Sequence, residues 1–160
     1  MLAGRNRKLF AIALLCGFLI PCAYGESMTL RYGNGDWYIG EVFKGLPHGR
    51  GILTSPRGKR YIGEWKDGKY DGQGAWIQFD IRPTTLDRAG RYTKFVGSFQ
   101  DGKSHGHGTL TLPNGSTHAG EWKDGFLWHG KVFDVDGRPT MRVLNGVLFP
   151  QKAPENSTIR

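Results

Sequence analysis

Phe95-Val96-Gly97-Ser98-Phe99-Gln100-Asp101-Gly102-Lys103 is the stretch that decides the fold, together with its continuation Ser104-His105-Gly106-His107-Gly108-Thr109-Leu110-Thr111-Leu112-Pro113-Asn114-Gly115-Ser116-Thr117. The opening residues alternate large and small, which is the period-two pattern of a β-strand. Asp101-Gly102 offers the positive φ that a tight hairpin turn requires. Thr109 to Leu112 is β-prone again, and Pro113-Asn114-Gly115 makes a second turn before the pattern restarts. One unit is therefore two strands and two turns.

The unit recurs. Its openings are Tyr38-Ile39-Gly40-Glu41, Tyr61-Ile62-Gly63-Glu64, Phe95-Val96-Gly97-Ser98 and His118-Ala119-Gly120-Glu121. Tyr38 to Tyr61 and Phe95 to His118 are each one period of 23 residues, whereas Tyr61 to Phe95 is 34, one period plus 11. A fixed period of this size means an array in which one supersecondary unit stacks on its neighbours. Thr29-Leu30 and Asn34-Gly35 echo Thr109-Leu110 and Asn114-Gly115, so the array opens on a half repeat.

Glycines fall in columns: Gly40, Gly63, Gly97 and Gly120; Gly45, Gly68, Gly102 and Gly125; Gly49, Gly72 and Gly106; Gly51, Gly74 and Gly108. Each column marks either a left-handed turn position or a close approach of two backbones. Two aromatic columns, Tyr38/Tyr61/Phe95 and Trp65/Phe99/Trp122, are expected to stack along the array and fill a thin core. Val42 stands in the second column in the first repeat, so the stack is expected to be weakest there.

The consensus aromatic-x-Gly-Glu-Trp-x-x-Gly-x-x-His-Gly-x-Gly closely resembles the MORN repeat family from about Tyr38 to Lys131, with the half repeat from Thr29 added. The resemblance implies an all-β, elongated antiparallel β-hairpin array that serves in scaffolding, dimerisation and lipid contact, without catalysis. Some departures stand out: Asp71 takes the usual histidine place, and His118 takes the opening tyrosine place. The fourth repeat slips by one residue at Trp128-His129-Gly130-Lys131, which reads as loss of its last glycine and suits a terminal capping unit. A capping hairpin is expected to follow through the Asp136-Gly137 turn, Pro139 to Leu144, the Asn145-Gly146 turn and Val147 to Phe149.

The first 25 residues are different material. Arg5, Arg7 and Lys8 precede an apolar run from Leu9 to Ile20, and Ala23 and Gly25 sit at the −3 and −1 positions of a cut before Glu26. That is the pattern of a secretory signal peptide, and the run is too short for a spanning helix. A retained anchor or a lipid-modified Cys22 is the minority alternative, the latter disfavoured by Pro21. Cleavage removes Cys16 and Cys22, the only cysteines, and three of the 22 cations, leaving 19 against 14 acids, a net +5. This mild basicity is no nucleic-acid footprint. The expected division is a signal peptide at 1–25, an array over 26–149 and a loose tail at 150–160. Within the array fall the half repeat 29–37, repeats 38–60, 61–94 with an insertion at 81–91, 95–117 and 118–137, and the cap 138–149.

Chemistry is sparse. His105-x-His107 could share a metal on one strand face, but His48 and His105 occupy one repeat position, which points to structure. The Gly-x-Gly triplets open no helix and carry no phosphate-loop Lys-Ser/Thr. Glu41, Glu64 and Glu121 recur with the period, so they are expected to face solvent or pair with lysines on neighbouring strands. No cofactor, metal or catalytic residue is expected, and there is no nucleophile elbow. The insertion carries Arg82, Arg88 and Arg91, a candidate binding loop on a repeat scaffold. The expectation is an exported (periplasmic or secreted) non-catalytic scaffold that holds a protein partner or itself. The alternative is a surface including Arg50, Arg57, Lys59 and Arg60 that meets an anionic membrane or envelope polymer.

Overall fold

The computed structural model describes residues 27–80 and 92–151; the expected signal peptide, the 81–91 insertion and the end of the tail lie outside the described residues. The described residues form eleven strands and no helix. They run β1 (Ser27–Arg31), β2 (Trp37–Phe43), β3 (Leu46–Thr54), β4 (Lys59–Lys66), β5 (Lys69–Phe79), β6 (Tyr92–Gln100), β7 (Lys103–Thr111), β8 (Thr117–Lys123), β9 (Phe126–Phe133), β10 (Pro139–Leu144) and β11 (Val147–Pro150). Each pairs antiparallel with its chain neighbours in one open sheet whose spatial order is the chain order. The final hairpin, β10–β11, ends the array.

Two kinds of turn alternate along the two edges. At one edge, Lys44-Gly45, Asp67-Gly68, Asp101-Gly102, Asp124-Gly125 and Asn145-Gly146 all have positive φ, from 50° at Asp67 to 95° at Gly125. Positive φ at both positions is the hairpin turn that matches the twist of the strands. At the other edge, turns at 32–36, 55–59, 112–116 and 134–138 each close with the same two main-chain bonds. β5 ends and β6 begins at this edge as well, with Phe79 opposite Tyr92. Successive hairpins are also stitched at the tight-turn edge: Gly68, Gly102, Gly125 and Gly146 donate N–H to the carbonyls of Pro47, Tyr70, Ser104 and Trp128, each at 2.9 Å.

The sheet carries its core on one face. Tyr38, Leu53, Tyr61, Trp65, Phe95, Phe99 and Trp122 are its buried members. The rings do not stack within columns, as the columns alone suggest; they zigzag between them, edge to face. Tyr38 meets Trp65 at 5.0 Å, Trp65 meets Tyr61 at 5.1 Å, Tyr61 meets Phe99 at 5.1 Å, Phe99 meets Phe95 at 5.1 Å and Phe95 meets Trp122 at 5.0 Å. The edge-to-face geometry sets the positive edge of one ring on the negative face of the next. Val42 leaves no gap, because Trp65 of the second repeat closes on Tyr38 of the first.

Beneath the rings lies an unbroken glycine row. Gly40 faces Gly51, Gly51 faces Gly63, Gly74 faces Gly63 and Gly97, Gly97 faces Gly108, and Gly120 faces Gly108 and Gly130. A Cβ on Gly51, Gly74 or Gly108 would run into the ring of Tyr38, Tyr61 or Phe95. These glycines make room for rings lying on the backbone, while Gly45 and its column serve the turns.

The register corrects the reading of the fourth repeat. Gly130 faces Gly120, so it holds the place of Gly51, Gly74 and Gly108. What is missing is one residue of the bulge: His48, Gly49 and Arg50 separate Pro47 from Gly51, whereas only Trp128 and His129 separate Leu127 from Gly130. The glycine lost is the first of the pair, not the last. A methyl of Leu127 stands over Gly130, where the other repeats place a ring.

Candidate binding groove

The aromatic face is incompletely covered, because a single-layer sheet has nothing stacked upon it. Two adjoining cavities open along it. The first, about 370 Å³, is lined by Tyr32, Asp36, Leu53, Trp65 and Tyr70 among others. The second, about 230 Å³, is lined by Tyr70, Trp76, Phe95, Phe99, Ser104, Leu110 and Trp122. Tyr70 and Gly102 border both, so the two form one groove from the turn before β2 across β3 to β8.

Each wall residue is held by the repeat. Tyr70 enters opposite Trp65, stacks on Tyr61 with ring centroids 3.8 Å apart and meets Trp65 edge-on at 4.8 Å. Trp65 and Trp122 donate their indole N–H groups to the carbonyls of Gly51 and Gly108, at 3.2 and 3.0 Å. The phenols of Tyr38 and Tyr61 donate to the carbonyls of Glu41 and Glu64, at 2.6 and 2.9 Å. Burial raises the Tyr38 and Tyr70 phenols to about 12, and both stay protonated donors through the physiological range. Asp36, almost fully buried at the groove's end, is held below the usual carboxylate range by a hydrogen bond from Ser55 and by Lys59, whose Nζ lies 3.4 Å away. The groove is a largely apolar trough with the Lys59-paired Asp36 at one end and Lys69 on its wall.

The repeat-defining residues named from the sequence all lie in the sheet. They are Tyr38, Gly40, Gly49, Gly51, Tyr61, Gly63, Trp65, Gly72, Gly74, Phe95, Gly97, Phe99, Gly106, Gly108, Gly120 and Trp122. Arg82, Arg88 and Arg91 lie outside the described residues. The other basic residues do not converge. Arg50 and Arg60 sit on the face opposite the rings, Lys59 turns to Asp36, and Arg57 lies in a turn. Among the described residues, the partners of Glu41, Glu64 and Glu121 are not lysines. Glu41 and Glu64 accept the main-chain N–H groups of Arg50 and Gln73, at 2.9 and 3.2 Å, and Glu121 lies 3.0 Å from His129. Glu41 and Glu64 thus pin the bulges of the first two hairpins. Column reasoning missed the groove residues Tyr70, Trp76 and Leu110, which belong to the less regular strand of each repeat. Trp76 opposite Tyr61 and Leu110 opposite Phe95 show what could have found them, the pairing partner of each column residue. Among the described residues no group of three or more His, Cys, Asp or Glu side chains could hold a metal ion.

An open sheet of repeated hairpins with an aromatic trough defines a hairpin-repeat protein. The MORN repeat profile matches residues 38–60, 61–76 and 95–117, so the chain carries MORN repeats in these segments. It is 34% identical over 117 residues to alsin of Mus musculus, a match covering 69% of this chain and 7% of alsin. It is 33% identical over 117 residues to alsin of Homo sapiens, again covering 7% of that protein. It is also 37% identical over 78 residues to MORN repeat-containing protein 3 of Xenopus laevis, covering 48% of this chain and 30% of that protein. The chain thus spans a small part of the relatives it matches.

Proposed function

We propose that this protein is a non-catalytic binding module whose aromatic groove takes an apolar segment of a protein partner, and that it acts outside the cytoplasm after removal of residues 1–25. The observation that carries the reading is the groove itself. Its two cavities adjoin at Tyr70 and Gly102, floored by the buried rings of Trp65, Phe95, Phe99 and Trp122 and walled by the less buried Tyr32, Tyr70 and Trp76. An extended or helical apolar segment laid in such a trough would gain roughly 25 cal/mol for each Å² of apolar surface it buries. Export rests on the basic, apolar and small-residue order of the first 25 residues.

Selection from a random peptide phage library tests the groove. Enriched peptides should be aliphatic or aromatic and should lose binding when Ser104→Trp fills the trough. They should keep it when Thr109→Trp adds the same bulk to the opposite face. Peptides indifferent to Ser104→Trp would refute the groove. N-terminal sequencing of the chain recovered from its native compartment tests export, with Glu26 the expected first residue.

A further inference from the structure

The ring donors of the aromatic face fall into two sets. Tyr38, Tyr61, Trp65 and Trp122 donate to main-chain carbonyls of the repeats themselves. The Tyr70 hydroxyl and the Trp76 indole N–H have no hydrogen-bond partner among the described residues, although both side chains are half-buried on the groove wall. Among the described residues no buried side-chain nitrogen or oxygen lacks a partner, so these two donors open onto the trough. Donors held in an apolar setting select a ligand that brings acceptors.

The spacing of the groove points to the same kind of ligand. Trp65 on β4, Phe99 on β6 and Trp122 on β8 hold one position in successive repeats, and Tyr70 and Ser104 are the pairing partners of the first two. The groove crosses the strands, so its features return every two strands, about 9.6 Å apart. A polyproline II helix completes one turn in three residues and about 9.3 Å, so one of its faces meets successive repeats in step. An extended strand covers the same distance in about three residues, an odd number, and would turn alternate faces to alternate repeats. An α-helix covers it in about 6.4 residues, near 1.8 turns, and falls out of phase. Hydrogen bonding separates the three in the same way. Polyproline II makes no internal hydrogen bonds and proline has no N–H, so such a segment offers carbonyls and few donors. A helix has its carbonyls engaged internally, and a strand brings N–H groups that ring donors cannot satisfy.

We infer that the groove, taken as the binding site proposed above, receives a proline-rich segment of the partner in the polyproline II conformation, laid along the array with one apolar side chain for each repeat. The Tyr70 hydroxyl and the Trp76 N–H donate to its carbonyls. From β3 to β8 is five strand spacings, about 24 Å, which about eight residues of this helix would cover. A proline-rich segment is stiff before it binds, so docking costs it little conformational freedom.

Fluorescence anisotropy with a labelled peptide, Leu-Pro-Pro repeated four times, tests the inference. The peptide should bind, and Ser104→Trp should abolish the binding. A peptide of the same composition with its leucines off the third-residue spacing should bind about tenfold more weakly or worse. Tyr70→Phe should weaken the regular peptide about three- to tenfold, the loss of one hydrogen bond. Its circular dichroism spectrum and melting temperature should match those of the parent, because the hydroxyl bonds nothing in the protein. Trp76→Phe should weaken binding at least as much. Equal binding of the regular and irregular peptides overturns the inference, as does binding that survives Ser104→Trp or is indifferent to both Tyr70→Phe and Trp76→Phe. Failure of the regular peptide to bind, beside proline-free library peptides that Ser104→Trp displaces, would leave the groove standing and remove the polyproline II ligand. If no peptide of either kind responds to Ser104→Trp, the groove and its ligand fall together.

Discussion

Gly51 and Gly45 look alike in the sequence, each a member of a glycine column, yet they are glycines for opposite reasons. A Cβ at Gly51 would strike the Tyr38 ring, whereas one at Gly45 would meet open space at a φ of 80°. The demand at Gly51 is for volume and the demand at Gly45 is for backbone geometry. Gly51→Ala should therefore cost about 1–3 kcal/mol through overpacking, and Gly51→Asn should cost more because the side chain is larger. At Gly45 the order should reverse. Ala carries the left-handed penalty of roughly 1–2 kcal/mol, which Asn largely escapes by hydrogen-bonding locally. Urea denaturation of the four variants checks this. The same rank order at both sites would show that the two columns are not distinct. Periodicity announces that a position must be glycine without saying why, because space and φ leave the same mark on a sequence. The glutamate column was opaque for a similar reason. Glu41 and Glu64 read as surface charges, and only the bulge brings the N–H groups of Arg50 and Gln73 within reach of their carboxylates.

At the scale of the element, the fourth hairpin shows how far a repeat bends before it stops being one. His118 opens β8 in the position of Tyr38, Tyr61 and Phe95, and Leu127 covers the glycine that a ring covers elsewhere. Burial holds the His118 pKa below its usual value, because a charged imidazole is poorly solvated there. The unfolded chain then binds the proton more readily than the folded one, so this residue's contribution to stability falls as pH drops through and below about 6.5. His118→Asn removes the titration. The melting temperature of the parent should fall more steeply than that of the variant between neutral pH and mildly acidic pH. Parallel curves would mean that His118 reaches solvent freely. Turns and strand order were legible in the sequence, since Asp-Gly and Asn-Gly pairs punctuate alternating runs and a meander follows from short links. The register of this hairpin was not. The histidine before Gly130 invites alignment with His48-Gly49, and the missing bulge residue is visible only from the pairing of Gly120 with Gly130.

Across the whole molecule, long-range coupling depends on one line of rings. Every hairpin contacts only its neighbours in an open array, so stability should be a sum of local terms and nearest-neighbour terms. The rings carry those neighbour terms, and Phe95 occupies a singular place among them. It meets Phe99 on one side at 5.1 Å and Trp122 on the other at 5.0 Å, while Trp122 meets no other ring of the zigzag. Removing it breaks the line between the third and fourth repeats, whereas removing Tyr38 only shortens it from one end. Both Phe95→Ala and Tyr38→Ala should cost roughly 3–5 kcal/mol as buried large-to-small changes, but their effects on cooperativity should differ. Hydrogen exchange read by mass spectrometry under partly denaturing conditions resolves β2 to β5 from β8 to β9. In the parent and in Tyr38→Ala, β8 and β9 should open together with the centre of the sheet. In Phe95→Ala they should open first and independently, giving two populations of exchanged peptide. A single cooperative opening in Phe95→Ala would mean that the main-chain bonds between hairpins, such as Gly125 to Ser104, couple the repeats without help from the rings.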